Sequence, residues 1–367
     1  MRQPESPHPG ALLFGGDRRH DLPEKIARGC HPRVEYLCLQ QQFGLEVVGF
    51  DNAGEFCPPA LRPVQERLLR KRPNLGMALL APFGPGRWST VLTTGEDVGL
   101  PFAMLQRLLR PNGRGVNIIT HGSYFGSKKF GDVARLFRSA PNVRFLCLSE
   151  ALQRRLIEQH GIPESGALNC GYGVDTRFFT PRPAEAGPAA ARRPVLLSAG
   201  TAKRDYRSLV AAARGLDVDV RIAADSAWFR TGIDIEGQTL PENVTVASAG
   251  DYVGLREAYA EASFVVVPLY ESVHACGYAV IVEAMAMGKA VITTRISGHS
   301  DYIVEGETGF YVPPQDADAL RDRICYLIDN PDVARAMGQN ARRLIETEHS
   351  LEVYVQKLAV AAGLSAK

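Results

Sequence analysis

The sequence predicts an α/β protein of two doubly wound domains, each built on a parallel sheet covered by helices. Three observations predict it. Short β-rich apolar runs alternate with helical patterns through most of the chain, the signature of stacked βα units. The stretch PRPAEAGPAAARRP, from Pro181 to Pro194, breaks the alternation; its Pro, Gly and Ala content can neither pair as a strand nor bury a face. Beyond it the alternation restarts. The expected organisation is a first domain over residues 1–180, a linker over 181–194, a second domain over 195–345, and a C-terminal helix over 346–367 that packs back on the first domain.

Taken in order, the first half reads as strands in ALLFGG, LEVVGFD, STVLTT, GVNIIT and VRFLCLS, with helices in VEYLCLQQQFG, LPFAMLQRLLR and EALQRRLIEQHG between and after them. The second half reads as strands in PVLLSAG, DVRIAAD, NVTVAS, SFVVVPL, AVITT and GFYVPP. Helices in RSLVAAARGL, GLREAYAEA, GYAVIVEAMAMG and ADALRDRICYLID separate or follow them, and SLEVYVQKLAVAAG is helical in pattern near the end. Ligands of such sheets bind outside the carboxyl ends of the strands. Functional residues are therefore expected where strands run into helices, on both halves, with a cleft between two sheets.

The chain has 367 residues, of which 45% are hydrophobic and 22% charged, enough for two buried cores, which excludes disorder and small disulfide scaffolds. Lys and Arg number 42 against 40 Asp and Glu, so there is no footprint of a nucleic-acid protein. One local cluster is basic: RLLRKR, Arg67 to Arg72. It reads either as a solvated helix face or as a peripheral contact with anionic lipid. The seven cysteines are scattered without metal-ligand spacing, which fits reduced thiols in a cytoplasm. The opening MRQPESPHPGALLFGG has no charged-then-apolar signal pattern and no run long enough to span a bilayer. The expected setting is cytoplasmic, at most peripheral on the inner membrane face, and no cofactor or metal cluster is expected.

The chemistry concentrates in ESVHACGYAVIVEAMAMGKAVITT, beginning at Glu271. A tight turn at Cys276 and Gly277 opens a helix through Tyr278 and Ala279 whose free N–H groups and positive dipole end make an anion site. A diphosphate suits it. Glu283 lies too far along the helix to touch the same anion, but a carboxylate there can accept hydrogen bonds from the two hydroxyls of a ribose; the alternative is a side chain that points to solvent from an amphipathic helix. A second stretch, SAGTAKRDYRSLVAAA, runs from a strand end at Gly200 through Thr201, Lys203 and Arg204 into a helix. Glycine admits close backbone approach and the cations offset charge on a leaving diphosphate; the alternative for Arg204 and Lys203 is a surface cation.

In the first half three strand ends carry candidates. NIITHGSYFGSKK presents His121 just after its strand, to bond a ligand hydroxyl, to steady charge at a reacting carbon, or to bond backbone structurally. TTGEDVGLPFA puts Glu96 and Asp97 in a strand-to-helix loop, where either orients acceptor hydroxyls or caps the helix. FGGDRRHD places Gly15 and Gly16 after the first strand, which permits close approach of a ligand.

The run from SFVVVPLYESVHACGYAVIVEAMAMGKAVITT through SGHSDYIVEGETGFYVPP resembles the nucleotide-sugar-binding half of retaining glycosyltransferases of family 4, which have the GT-B fold of two Rossmann-like domains facing each other across a cleft. The resemblance spans roughly Pro194 to the region of Arg342, and the first half matches more loosely, in TTGEDVGLPFA, IITHGSYF and YGVDTRFFTP. It implies transfer of a sugar from a nucleotide-diphosphate donor, a UDP-sugar in the first instance, to a saccharide, lipid-linked or small-molecule hydroxyl with retention of configuration. It implies for Glu283 the same grip on the ribose, and a histidine after the strand that carries His121. Two departures stand out. The first of the family's two glutamates falls on Ala275, leaving Glu271, His274 or the backbone of Cys276 and Gly277 to meet the donor sugar; and Gly200-Thr201 replaces a Gly-Arg pair, with Arg204 where a lysine is expected. Beside a catalytic transferase stand a nucleotide-sugar epimerase and a non-catalytic subunit that binds nucleotide-sugar or a partner.

Overall fold

The computed structural model describes residues 10–83, 87–109, 132–182, 193–224, 233–298 and 301–364, and the backbone of 117–122. The first half contains β1 (Ala11–Leu13), α1 (Leu22–Ala27), α2 (Glu35–Phe43), β2 (Glu46–Val48), α3 (Arg62–Lys71), α4 (Pro73–Ala78), β3 (Thr90–Thr93), α5 (Glu96–Leu109), β4 (Asn117–Gly122), β5 (Val143–Cys147), α6 (Glu150–Glu158) and β6 (Ala167–Asn169). Its sheet is parallel in the order β2-β1-β3-β4-β5-β6. All the strands expected here are present. The three residues of β6 were not expected, since Gly166 and Asn169 leave too short an apolar run to read. Helix α5 begins at Glu96 rather than at the LPFA run, so Pro101 lies inside it, in the second turn.

The second half contains β7 (Val195–Ala199), α7 (Tyr206–Ala213), β8 (Asp219–Ala223), β9 (Val244–Ala247), α8 (Tyr252–Glu261), β10 (Phe264–Val267), α9 (Tyr278–Ala286), β11 (Val291–Thr294), β12 (Gly309–Val312), α10 (Ala317–Asp329), α11 (Pro331–Leu344) and α12 (Leu351–Ala362). Its sheet is parallel in the order β12-β11-β10-β7-β8-β9. Val265, Val266 and Val267 are fully buried, as a central parallel strand with helices on both faces requires. Three helices start on aspartates that satisfy first-turn amides: Asp205 accepts from Ser208 N, Asp251 from Gly254 N and Asp316 from Ala319 N, at 3.1, 2.9 and 2.8 Å.

The chain divides into two compact units, one of residues 1–23, 34–171 and 354–367, the other of 24–33 and 172–353. The boundary expected at residue 180 falls at 171, because Val174, Phe178 and Phe179 are buried in the second unit's core beside Tyr259 and Met285. Within the first unit, α12 is tied by Thr90 Oγ1 donating to the Ala362 carbonyl at 2.9 Å and by Arg144 to that of Ala361 at 2.7 Å. Of the linker expected over 181–194, residues 183–192 lie outside the described residues. No helix among the described residues is long and apolar enough to cross a membrane.

Candidate active site

In a doubly wound sheet the crevice for a ligand opens where the strand order reverses, between two neighbours whose following helices leave toward opposite faces. In the second unit that point lies between β7 and β10, adjacent parallel strands with β8 beyond one and β11 beyond the other. Both glycine-containing stretches picked out from the sequence begin there: Gly200 follows β7, and the turn at Cys276 and Gly277 follows β10. Sheet topology thus brings together residues more than seventy positions apart.

The loop after β7 is shaped by its glycine. Gly200 has φ +88°, and a Cβ there would stand 2.7 Å from Arg204 Nη2, so glycine serves both the left-handed turn and the close passage of the guanidinium. Arg204 folds back over the strand end, its Nε donating to the Ala199 carbonyl at 2.8 Å and Nη1 to that of Ala202 at 2.9 Å. It is 6% exposed, and among the described residues no carboxylate pairs with it. Burial pulls its pKa down, yet a guanidinium stays protonated. The result is a buried positive charge met only by neutral acceptors, which is costly in an empty protein and favourable to an incoming anion. The surface-cation alternative for Arg204 is thereby excluded.

Lys203 is exposed and takes φ +57°, an uncommon conformation for a side-chain-bearing residue. It is held by Tyr270 N donating to its carbonyl at 3.0 Å, while Asp205 N donates to the Pro268 carbonyl at 3.1 Å. These bonds fasten the two switch-point loops to each other. Thr201 sits half-buried in the same loop. Tyr206, fully buried, donates its hydroxyl to the Gly200 carbonyl.

The loop after β10 is equally determined. Leu269 N donates to Thr294 Oγ1 at 2.9 Å, Tyr270 donates its hydroxyl to Asp234 at 2.6 Å, and Gly298 N donates to the Ser272 carbonyl at 2.8 Å. A Cβ on Gly298 would lie 2.5 Å from the His274 carbonyl oxygen, so glycine is what lets these two loops touch. Glu271 Oε1 accepts from Ser297 N at 2.9 Å, which occupies one oxygen of a group considered as a substitute for the missing carboxylate at Ala275. Ala275 itself is buried. The Cys276 thiol, pushed up by burial, reaches toward Ser272 Oγ, and the charges of Arg204 and Lys203 act in the opposite direction.

Gly277 caps α9 with φ +75°, and a Cβ there would approach Val267 Cγ1 to 2.9 Å. It has no side chain to satisfy the first turn, so the amides of Tyr278 and Ala279 are oriented along the axis toward the strand ends. The Tyr278 ring meets Tyr172 edge-on at 5.0 Å. Farther along α9, Glu283 is half-buried and accepts at Oε2 from the Tyr259 hydroxyl at 2.9 Å. Burial pushes the Glu283 carboxyl up to about 7, against the opposing hydrogen bond from Tyr259. Tyr259 is fully buried at the end of α8. Reading the sequence did not find it: the tyrosine in GLREAYAEA looks like any core-facing helical residue, and its partner lies 24 positions away. Tyr259→Phe keeps the ring and removes the donor that favours the carboxylate. The expected outcome is a preserved fold with the Glu283 titration moved above about 7, read as an upward shift in the pH midpoint of any binding that depends on that carboxylate.

In the first unit the order reverses between β1 and β3. Gly16 lies after β1, and its carbonyl accepts from Phe50 N at 2.9 Å; Gly15 N donates to Thr94 Oγ1 at 3.0 Å, closing the two strand ends together. Glu96 is not in a loop: it is the first residue of α5 and 4% exposed. Asp97 accepts from Asn74 Nδ2 and from Val98 N, both at 3.0 Å, so it serves the packing and start of α5. His121 was expected beyond the end of its strand, but β4 continues through it to Gly122 and pairs it with Leu146 of β5; its side chain lies outside the described residues. Gly16 and Glu96 thus share one switch point, with His121 on the next strand over. Among the described residues no group of three or more metal-ligating side chains comes together.

Comparison with known proteins matches the geometry. Residues 233–344, which hold β9 through α11, match the family model described as Glycosyl transferases group 1, so the chain carries a domain of that class. Over 79 residues it is 35% identical to the capsular polysaccharide biosynthesis glycosyltransferase CapM of Staphylococcus aureus, covering 22% of this chain and 21% of that one. Over 177 residues it is 27% identical to the alpha-D-kanosaminyltransferase of Streptomyces kanamyceticus, covering 46% and 45%. The chain therefore spans well under two thirds of these relatives. Likeness in fold extends further: a glycosyltransferase from Rickettsia africae superposes with TM-score 0.66 at 18% identity over 96% of this chain and 98% of that one, and Anabaena Alr3699/HepE in complex with UDP and glucose with 0.66 at 15% over 96% and 99%. The fold is GT-B, with two Rossmann-like units.

Proposed function

We propose that this chain is a glycosyltransferase of family 4 that moves a sugar from a nucleotide-diphosphate donor, a UDP-sugar in the first instance, to a hydroxyl-bearing acceptor with retention of configuration. The observation that carries the proposal is the buried, carboxylate-free guanidinium of Arg204 at the same switch point as the N-terminus of α9, with Glu283 farther along that helix. UDP and UDP-glucose, the ligands of the Anabaena structures, support the choice of donor.

In this reading the amides of Tyr278 and Ala279, with Arg204 and Lys203, hold the diphosphate, and Gly200 and Thr201 let it approach the backbone. Glu283 accepts from the ribose hydroxyls and Tyr259 fixes the carboxylate that does so. The bond from the anomeric carbon to the phosphate oxygen breaks while the acceptor oxygen forms its bond on the same face. The acceptor's proton passes to the departing phosphate oxygen. Gly16, Glu96 and His121, all of the first unit, are assigned to the hydroxyl acceptor.

Because cations and helix amides meet the diphosphate charge, turnover is expected to survive excess chelator; loss of activity restored by magnesium or manganese would contradict this account of the leaving group. The deciding experiment incubates the protein with a panel of nucleotide sugars, with and without hydroxyl acceptors, and follows nucleotide diphosphate release. Acceptor-dependent release supports transfer. Conversion of the donor to its epimer without release, or binding without either change, would replace it with one of the two alternatives.

A further inference from the structure

We propose that the outer face formed by α3, α4 and the C-terminal half of α5 docks on the surface of an anionic lipid bilayer. The three helices are contiguous, α3 packing on α4 and α4 on α5, with Asn74 Nδ2 donating to Asp97 at 3.0 Å across the second junction. Half of the large apolar side chains exposed among the described residues lie here: Leu61, Val64, Leu75, Met104, Leu108 and Leu109. Leu108 is 77% exposed. Exposed apolar side chains gathered on adjoining helices in this way point to an interaction site.

The charge on the same face is one-sided. Arg62, Arg67, Arg70, Lys71, Arg72 and Arg107 are exposed, with Glu66 the one exposed carboxylate in the stretch from Leu61 to Leu75. None of these cations forms an ion pair among the described residues, not even with Glu66, although both Arg62 and Arg70 stand four residues from it on α3. Elsewhere arginines do pair with a carboxylate at that spacing: Arg28 with Glu24, Arg154 with Glu150 and Arg342 with Glu346. Val64, Arg67 and Lys71 share one side of α3, and Met104, Arg107 and Leu108 one side of α5, by the three- and four-residue spacing of a helix. Cations that lie among apolar tips suit a bilayer interface, where the tips enter the acyl boundary and the charges meet phosphate. The same mixture fits other occupants poorly. A second copy would set like charges against each other. A nucleic acid would leave the leucines in water and find no exposed aromatic ring among them to stack on.

The test uses the full chain in sedimentation with vesicles of phosphatidylcholine alone and of equal parts phosphatidylcholine and phosphatidylglycerol. Binding is expected to the mixed vesicles only, and to weaken as salt rises. Arg67→Gln/Arg70→Gln/Lys71→Gln should weaken it by about a hundredfold, at about fivefold per cation. Leu108→Ser/Leu109→Ser should also weaken it, through the apolar half of the contact. Both variants replace exposed side chains and should melt with the wild type and release nucleotide normally with a water-soluble acceptor. The proposal is overturned if the wild type ignores the mixed vesicles, binds both kinds alike, or binds polyuridylic acid in their place. It is equally overturned if the charge variant, shown to be folded, binds as the wild type does.

Discussion

Arg204→Gln is expected to lower turnover with a nucleotide-sugar donor by about a hundredfold to a thousandfold, the range for removing one group that stabilises charge developing on a leaving oxygen. The same change should leave the ligand-free protein no less stable. Two hydrogen bonds to carbonyls at Ala199 and Ala202 are lost or remade by the amide, while the cost of an uncompensated buried charge disappears. The combination is what separates the two roles open to a buried arginine. A residue kept for packing would lose stability and turnover together; a residue kept for an anion loses turnover alone. Paired measurements of melting temperature and acceptor-dependent release decide it, and normal turnover in the variant would remove Arg204 from the site.

The second large effect concerns Glu283. If its carboxylate accepts from the ribose hydroxyls, a nucleoside diphosphate should bind more tightly than its counterpart lacking both hydroxyls, by about 1.5–3 kcal/mol, as for hydrogen bonds to a charged group. The difference should depend on pH in a defined direction. The folded-state pKa is raised to about 7 from 4.5, so the carboxylate is largely protonated below that range, and the difference should grow as pH rises through about 7 and level off above it. Both ligands carry the same phosphates, so their ionisation cancels. For the empty protein the sign is opposite. A carboxyl with a raised folded-state pKa contributes stability that is full below 4.5 and lost as pH rises through about 7. Glu283→Gln should abolish both trends: calorimetric titration would show no growth with pH in the preference for the ribose hydroxyls, and thermal melts would lose the decline across that window. Equal affinity of wild-type protein for the two ligands at high pH would make α9 a packing element and end the donor-site assignment.

These two residues differ in how far the sequence exposes them. Glu283 is conspicuous because a carboxylate interrupts an apolar helix, and the distance along that helix fixes what it can reach. Arg204 is only one cation in a loop that also holds Lys203. Its burial, its bonds to two carbonyls and the absence of a paired carboxylate among the described residues appear when β7 and β10 come side by side. Tyr259 was invisible for the same reason, and Glu96 was misplaced by one structural state, since nothing local in TTGEDVGLP distinguishes the last loop residue from the first helical one.

The sequence by itself determined the class of fold, because βα alternation is a local pattern: each apolar run has one strand-like solution and each amphipathic run one helix-like solution, independent of what lies across the sheet. It also determined which loops carry glycines and cations, because a left-handed turn or a close backbone approach demands particular residues wherever it occurs. The tertiary structure alone decided strand order, and with it that Gly200 and Gly277 meet at one switch point while Gly16 and Glu96 meet at another. It decided that residues 172–180 belong with the second unit, since aromatic burial depends on which core has room, and that Arg204 is a buried charge and not a surface one. Pairing, burial and electrostatic environment are relations between distant residues, set by the free energy of the whole packed arrangement and by no single segment of it.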